Sequence, residues 1–95
     1  MDFLLEEGFK EEIIKKMKQR YDSSVLDLFL LEQENVLDVI HYFQRIGIRV
    51  IDELLLTRIE IFTKDINEVK DAFLKHNIKE IVKEINEDIT TIDFI

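Results

Sequence analysis

The sequence predicts an all-α domain built as a short α-solenoid of stacked helical pairs, and three observations carry that expectation. Apolar residues recur at helical spacings and never alternate as in a strand, while no proline and only two glycines interrupt them. Sliding the chain against itself by thirty residues aligns Tyr21/Ile51/Ile81, Val25/Leu55/Ile85 and Phe29/Ile59/Ile89 as triples, then Val36/Ile66, Val39/Val69, Phe43/Phe73, Ile48/Ile78 and Phe62/Ile92 as pairs. The polar punctuation recurs at the same offset: Asn35 and Asp65 are residue types that cap helix N-termini, and Gly47 and Asn77 are types that take the left-handed turn past a helix end. Helical pairs of this length cannot bury their apolar stripes alone, so successive units are expected to stack.

Taken in order, the elements begin with a short turn at Asp2–Glu7 and a helix at about 10–21, whose buried side would be Phe9, Ile13, Ile14, Met17 and Tyr21. A third element at about 25–33 takes Ser23 or Ser24 as its cap. Asn35 introduces a helix at 36–46 that stops at Gly47, followed by a helix at 50–56 and a tighter turn through 59–62. Asp65, which with Glu68 has the form of a capping box, introduces 66–76, and 79–86 closes the pattern after Asn77. The organisation is one domain: N-terminal helices over 1–34, a first clear unit over 35–64, and a second over 65–95 that lacks a following helix.

Composition narrows the function classes. The chain has 95 residues, 46% of them apolar, enough for one small core. Its net charge of −8 repels phosphate backbones and anionic membranes and favours proteins or cationic surfaces as partners. No cysteine is present, so disulfides, thiolate metal sites and cysteine nucleophiles have no residues to use. No apolar run is long enough for a membrane span, and "MDFLLEEGFK" carries acids where a signal peptide needs a basic start, which reads as a cytoplasmic chain. Fifteen isoleucines against one alanine are what an A+T-rich genome encodes, pointing to a low-G+C bacterium or its phage.

The stretch "YFQRIGIRVIDELLLTRIEIF" followed by "KDINEVKDAFLKHNI" resembles the helical repeats of the mitochondrial transcription termination factor family. In those repeats a helix ending in leucine and glycine is followed by an apolar helix, a tight turn and a second helix, in units a little over thirty residues long. The similarity spans about 21–95 and implies a curved α-solenoid that binds nucleic acid in a basic groove. Ile59 stands where the family usually places a proline, and −8 is the wrong sign for such a groove, so the architecture is what carries over.

Two places carry candidate contacts. Lys10, Lys15, Lys16, Lys18 and Arg20 gather five positive charges in the second helix, against Glu11 and Glu12 alone. They are candidate contacts for nucleic acid or an acidic partner; the ordinary reading is the solvated face of an amphipathic helix. Ile92, Phe94 and Ile95 fall at the open end of the truncated unit, where they either fold back as core or form a protein-docking edge. Phe3, Leu4 and Leu5 would cap the other end. From Tyr21 to Gln44 there are five acids and no Lys or Arg, a solvated face or an acidic imitation of nucleic acid that occupies a basic groove on another protein.

No constellation reads as catalytic. Neighbouring acids such as Glu11–Glu12 and Asp52–Glu53 do not face one point on a helix, Asp38-x-x-His41 lacks further ligands, and Asn86–Thr90 lacks the glycine and terminal glutamate of a calcium loop. His41 is expected to pair with Asp38 and Arg45, and His76 to sit at a helix C-terminus. The expectation is therefore a non-enzymatic module with no cofactor, metal or small-molecule substrate, binding a macromolecule. A protein partner or self-association comes first, nucleic acid second and acidic mimicry third.

Overall fold

The computed structural model describes residues 1–95 and contains helices and no strands. The α-helices are α1 (Asp2–Glu6), α2 (Glu11–Arg20), α3 (Ser23–Leu31), α4 (Gln33–Ile46), α5 (Ile51–Thr57), α6 (Ile66–Leu74) and α7 (Ile78–Glu87). Two 3₁₀ helices join them, Ile59–Thr63 after α5 and Ile89–Phe94 after α7. The order helix, helix, 3₁₀ helix thus occurs over 33–63 and again over 66–94.

Each helix buries the stripe its sequence spacing dictates. In α4, Val36, Val39, Ile40 and Phe43 follow the i, i+3, i+4, i+7 pattern and all are buried; in α7, Ile78, Ile81, Val82 and Ile85 follow it, with the last three buried. Twenty buried apolar residues form one cluster with no buried polar side chain among them. At its centre the Phe43 ring meets Phe62 at 5.7 Å in an edge-on arrangement and Phe73 at 5.7 Å, so the two aligned phenylalanines of the thirty-residue pattern touch. Tyr42 meets Phe73 edge-on at 5.9 Å, and Phe3 of α1 reaches Phe29 of α3 at 5.6 Å. α2 packs on α5, where the Tyr21 hydroxyl donates to the Leu55 carbonyl at 2.8 Å. Burial pushes the Tyr21 phenol above its usual range, against a smaller opposing effect of the Arg20 charge. The body measures 35 × 24 × 22 Å.

Both glycines end helices in the same way. Gly47 has φ +96°, its N–H reaches the Gln44 carbonyl, and the Ile48 N–H reaches back to Phe43, the paired bonds of a Schellman stop. Gly8 repeats this after α1, with φ +97°, its N–H on Leu5 and that of Phe9 on Leu4. Asp65 caps α6 as expected, though it accepts from the N–H of Asn67 and not from Glu68.

Three expectations are corrected. Asn77 is not a left-handed stop: at φ −71° it is the N-cap of α7, accepting from the Glu80 N–H at 3.1 Å. Gly47 is separated from α5 by three residues, whereas Asn77 directly precedes α7 and is used to start it. Ser23 and Ser24 lie inside the first turn of α3, with Asp22 at the cap position and no side-chain bond there. Asn35 does not cap α4, because that helix begins at Gln33, with only Glu32 between it and the end of α3 at Leu31. Its amide instead spans to the next connection, donating to the carbonyls of Phe62 (3.2 Å) and Lys64 and accepting from the Ile66 N–H at 3.0 Å. Asn86 on α7 does the same for the earlier connection, donating to the Gly47 carbonyl at 3.0 Å and accepting from the Arg49 N–H at 2.8 Å. Two asparagine side chains therefore hold the joints between helices that propensity alone leaves loose.

Candidate functional site

The basic residues near α2 are all exposed, and none is in an ion pair; the chain's pairs are His41–Glu7 at 2.9 Å and Arg58–Asp93 at 2.8 Å. Successive helical residues point about 100° apart, so Lys15 and Lys16 diverge. Lys15 and Lys18 border one depression with Asp2, Leu5 and Glu11, whereas Lys16 and Arg20 border another with Gln19 and Leu56. Lys10 occupies the N-cap position, before the first turn. Four of the five charges are thus split across two flanks, with Glu11 and Asp2 beside one of them, and Lys10 stands apart at the cap.

At the C-terminal edge the three candidates part company. Ile92 is buried, Ile95 packs partly against the core, and Phe94 is 82% exposed. Ile92 and Ile95 fold back over a groove of about 180 Å³ that also involves Ile61, Val69, Ala72 and Phe73. Arg58 fastens this edge with two bonds from its guanidinium to the Asp93 carboxylate. That pairing holds the Asp93 carboxyl below the usual carboxylate range and raises Arg58 further. Asp88 opens the second 3₁₀ helix, where the Thr90 hydroxyl and N–H donate to it and lower its carboxyl in turn. At the other end Leu4 is buried and Phe3 packs on Phe29, while Leu5 stays exposed.

The surface that sequence reasoning missed is α3. Six of the seven residues from Val25 to Leu31 are apolar, a helix hydrophobic on nearly every side, yet only Phe29 is fully buried. Leu31 is 79% and Leu28 48% exposed, one turn apart on the same side of the helix, with Val25 and Leu30 also exposed. The available signal was the excess itself, because one helix packed on one side cannot bury an apolar surface that runs all the way round. Where α3 meets α4, Leu31 shares a depression of about 380 Å³ with Glu32, Gln33, Glu34, Asn35 and Asp38. All five acids between Tyr21 and Gln44 are exposed.

His41 does not pair with Asp38 or Arg45; its Nε2 meets Glu7 of the segment after α1 and ties that segment to α4. Beside it on α4, Tyr42 carries the Lys70 ammonium 5.7 Å above its ring, and burial raises its phenol. His76 is exposed in the connection after α6. No three His, Asp or Glu side chains converge in a geometry that holds a metal ion, and no helix is long and apolar enough to cross a membrane.

Fold and surface thus define a small all-α domain whose large exposed apolar residues lie mainly on α3, with Leu5, Leu74 and Phe94 elsewhere. Compared with known proteins, the chain matches no family model, no curated protein and no solved structure.

Proposed function

We propose that this chain is a non-enzymatic helical-repeat module that binds another protein. The observation that carries the reading is the exposure of large apolar side chains on regular, well-packed elements: Leu28 and Leu31 on α3, Leu74 on α6 and Phe94 at the C-terminal edge. Single apolar residues are common on surfaces, but two leucines one turn apart on a helix make a contiguous face of the kind that partners cover. The net charge of −8 favours a cationic or neutral partner. We read the two helix, helix, 3₁₀ units as stacked repeats of a short solenoid, the architecture implied by the resemblance to termination-factor repeats. The recurring element order and the contact of Phe43 with Phe73 support that reading.

The test is an affinity pull-down of the tagged protein from lysate of its own cell type, with and without nuclease, followed by identification of what is retained. A defined protein retained equally in both arms is expected. Retention of nothing, or retention abolished by nuclease, would refute the protein-binding reading.

A second reading, nucleic-acid binding through α2, is favoured by the absence of acidic partners for Lys10, Lys15, Lys16, Lys18 and Arg20. It requires binding that weakens steeply with salt and disappears in Lys15→Glu/Lys16→Glu/Lys18→Glu. Retention that is unaffected by salt would exclude it.

A further inference from the structure

We propose that the outer face of α3 and the adjoining α3–α4 depression dock a cationic amphipathic helix of a partner protein, its apolar side chains on Leu28 and Leu31 and its Lys or Arg side chains against Glu32, Glu34 and Asp38. The inference rests on the protein-binding reading and adds the face and the chemistry of the occupant.

Three features select that occupant. Leu28 and Leu31 lie three residues apart and therefore share one side of α3, which matches the i, i+3, i+4 anchors by which an amphipathic helix reads a complementary face. Leu31 continues directly into the depression that carries Glu32, Glu34 and Asp38, so apolar surface and negative charge are adjacent. None of these acids is in an ion pair, and no Lys or Arg occurs between Tyr21 and Gln44. Lys64, whose carbonyl binds Asn35, borders the separate groove beneath α6, and only Asp38 has cations beside it, sharing a second depression with Arg45 and Lys70, so Glu32 and Glu34 are the carboxylates most open to a partner. The three carboxylates line the depression without converging on a point, which suits several side-chain cations spread along a helix and not one metal ion.

The same features exclude other occupants. Phosphate backbones and anionic lipid surfaces are repelled by a rim of unpaired acids. A second copy placed face to face would bring two sets of acids together. Its basic helix α2 cannot serve instead, because the apolar residues that would anchor it, Ile14 and Met17, are buried in its own core.

The experiment titrates the full chain with a fluorescent leucine–lysine peptide about four turns long that forms a leucine stripe flanked by lysines. Three control peptides accompany it: leucines replaced by serine, lysines replaced by glutamate, and the composition scrambled. Saturable one-to-one binding of the amphipathic peptide is expected, weaker at physiological than at low salt, with the serine, glutamate and scrambled peptides at least about tenfold weaker. Leu28→Asp/Leu31→Asp should cost about tenfold or more, and Glu32→Lys/Glu34→Lys a comparable amount. These side chains are exposed, so both variants should keep the helical circular dichroism and melting of the parent, and this is measured first. The inference is overturned if the amphipathic peptide does not saturate, if the serine or scrambled peptide binds equally well, or if Leu28→Asp/Leu31→Asp binds unchanged. The pull-down separates the two levels. A protein retained equally by the parent and by Leu28→Asp/Leu31→Asp sinks this docking face and leaves the module reading standing, whereas no retained protein sinks the module reading itself.

Discussion

Replacement of Asn35 by aspartate tests the joint between the first 3₁₀ helix and α6 at the level of single atoms. The side-chain NH₂ points at two backbone carbonyls, those of Phe62 and Lys64, and the oxygen accepts the first N–H of α6. Asn35→Ala removes all three bonds; at about 0.5–1.5 kcal/mol net each, and with the site only partly buried so that water replaces some of the loss, the expected cost is about 2–3 kcal/mol. For a domain of this size that corresponds to a fall in Tm of roughly 10–20 °C. Asn35→Asp keeps the shape and the acceptor to Ile66, yet sets an anionic oxygen against two carbonyl oxygens, so at neutral pH it should cost at least as much as alanine. The sign with pH distinguishes the two variants. Repulsion raises the folded-state pKa of the new carboxyl above its unfolded value of about 3.9, so the penalty is full above the folded pKa and fades as pH falls toward the unfolded value. Urea melts of both variants at neutral and mildly acid pH read this directly, and the gap between Asp and Ala should shrink or reverse in acid. An Asn35→Asp protein within about 0.5 kcal/mol of the parent at neutral pH would refute the orientation and the role assigned to this amide.

Other outcomes follow from the same structure. Phe43→Ala should lose about 3–5 kcal/mol by chemical denaturation, because the ring is buried against Phe62 and Phe73, whereas Phe94→Ala should stay within about 0.5 kcal/mol; equal effects would overturn the assignment of core and edge. Gly47→Ala should cost about 1–2 kcal/mol through the left-handed backbone alone, since a Cβ there would meet only Val82 Cγ1, at an ordinary 3.7 Å. Asn77→Gly should not stabilise, because Asn77 has negative φ and works as a cap; a gain in Tm would contradict this. Asp88 and Asp93 both have carboxyls lowered by their donors, so their contribution is present above the unfolded pKa of about 3.9 and is lost as pH falls through the lower folded values. Asp88→Asn/Asp93→Asn should flatten the fall of stability with pH below about 4, and an unchanged slope in acid titrations would disprove the linkage.

The helical class, the stop at Gly47, the cap at Asp65 and the tight turn after α5 were all legible because each depends on residues close in sequence. Asn77 misled because asparagine serves both a left-handed stop and an N-cap, and the choice depended on how soon α7 begins. Asn35 misled for a different reason: its partners lie about thirty residues away, beyond any local rule. The same limit applied to the surface. The basic run near α2 was visible as composition and its division between two flanks follows from the 100° step of a helix, whereas the α1 residues Asp2 and Leu5 beside one flank and Leu56 of α5 beside the other are set by packing. At the C-terminal edge, spacing aligned Ile92 with Phe62 but left Ile92, Phe94 and Ile95 together as either core or docking edge, and only packing separated buried Ile92 and half-buried Ile95 from exposed Phe94. In α3 the apolar excess was the signal of an open face, but which of its residues stay exposed is decided by the neighbours that cover Phe29.

The two asparagine joints bear on how the chain comes apart. Each fixes a connection with a side chain delivered from 27 to 39 positions away, so the Gly47 carbonyl and Arg49 N–H in one connection, and the Phe62 and Lys64 carbonyls and Ile66 N–H in the other, gain these bonds only when a distant helix has docked. Asn86 of α7 holds the joint inside the first helix–helix unit, and Asn35 of that unit holds the joint leading into the second. The halves therefore lend each other their finished geometry. Loss of α7 should loosen residues 47–49 as well as the C-terminus, and amide exchange in the two connections should track global opening instead of local fraying. Closing such long loops before any bond rewards them also sets a slower tempo than purely neighbour-to-neighbour helix packing allows.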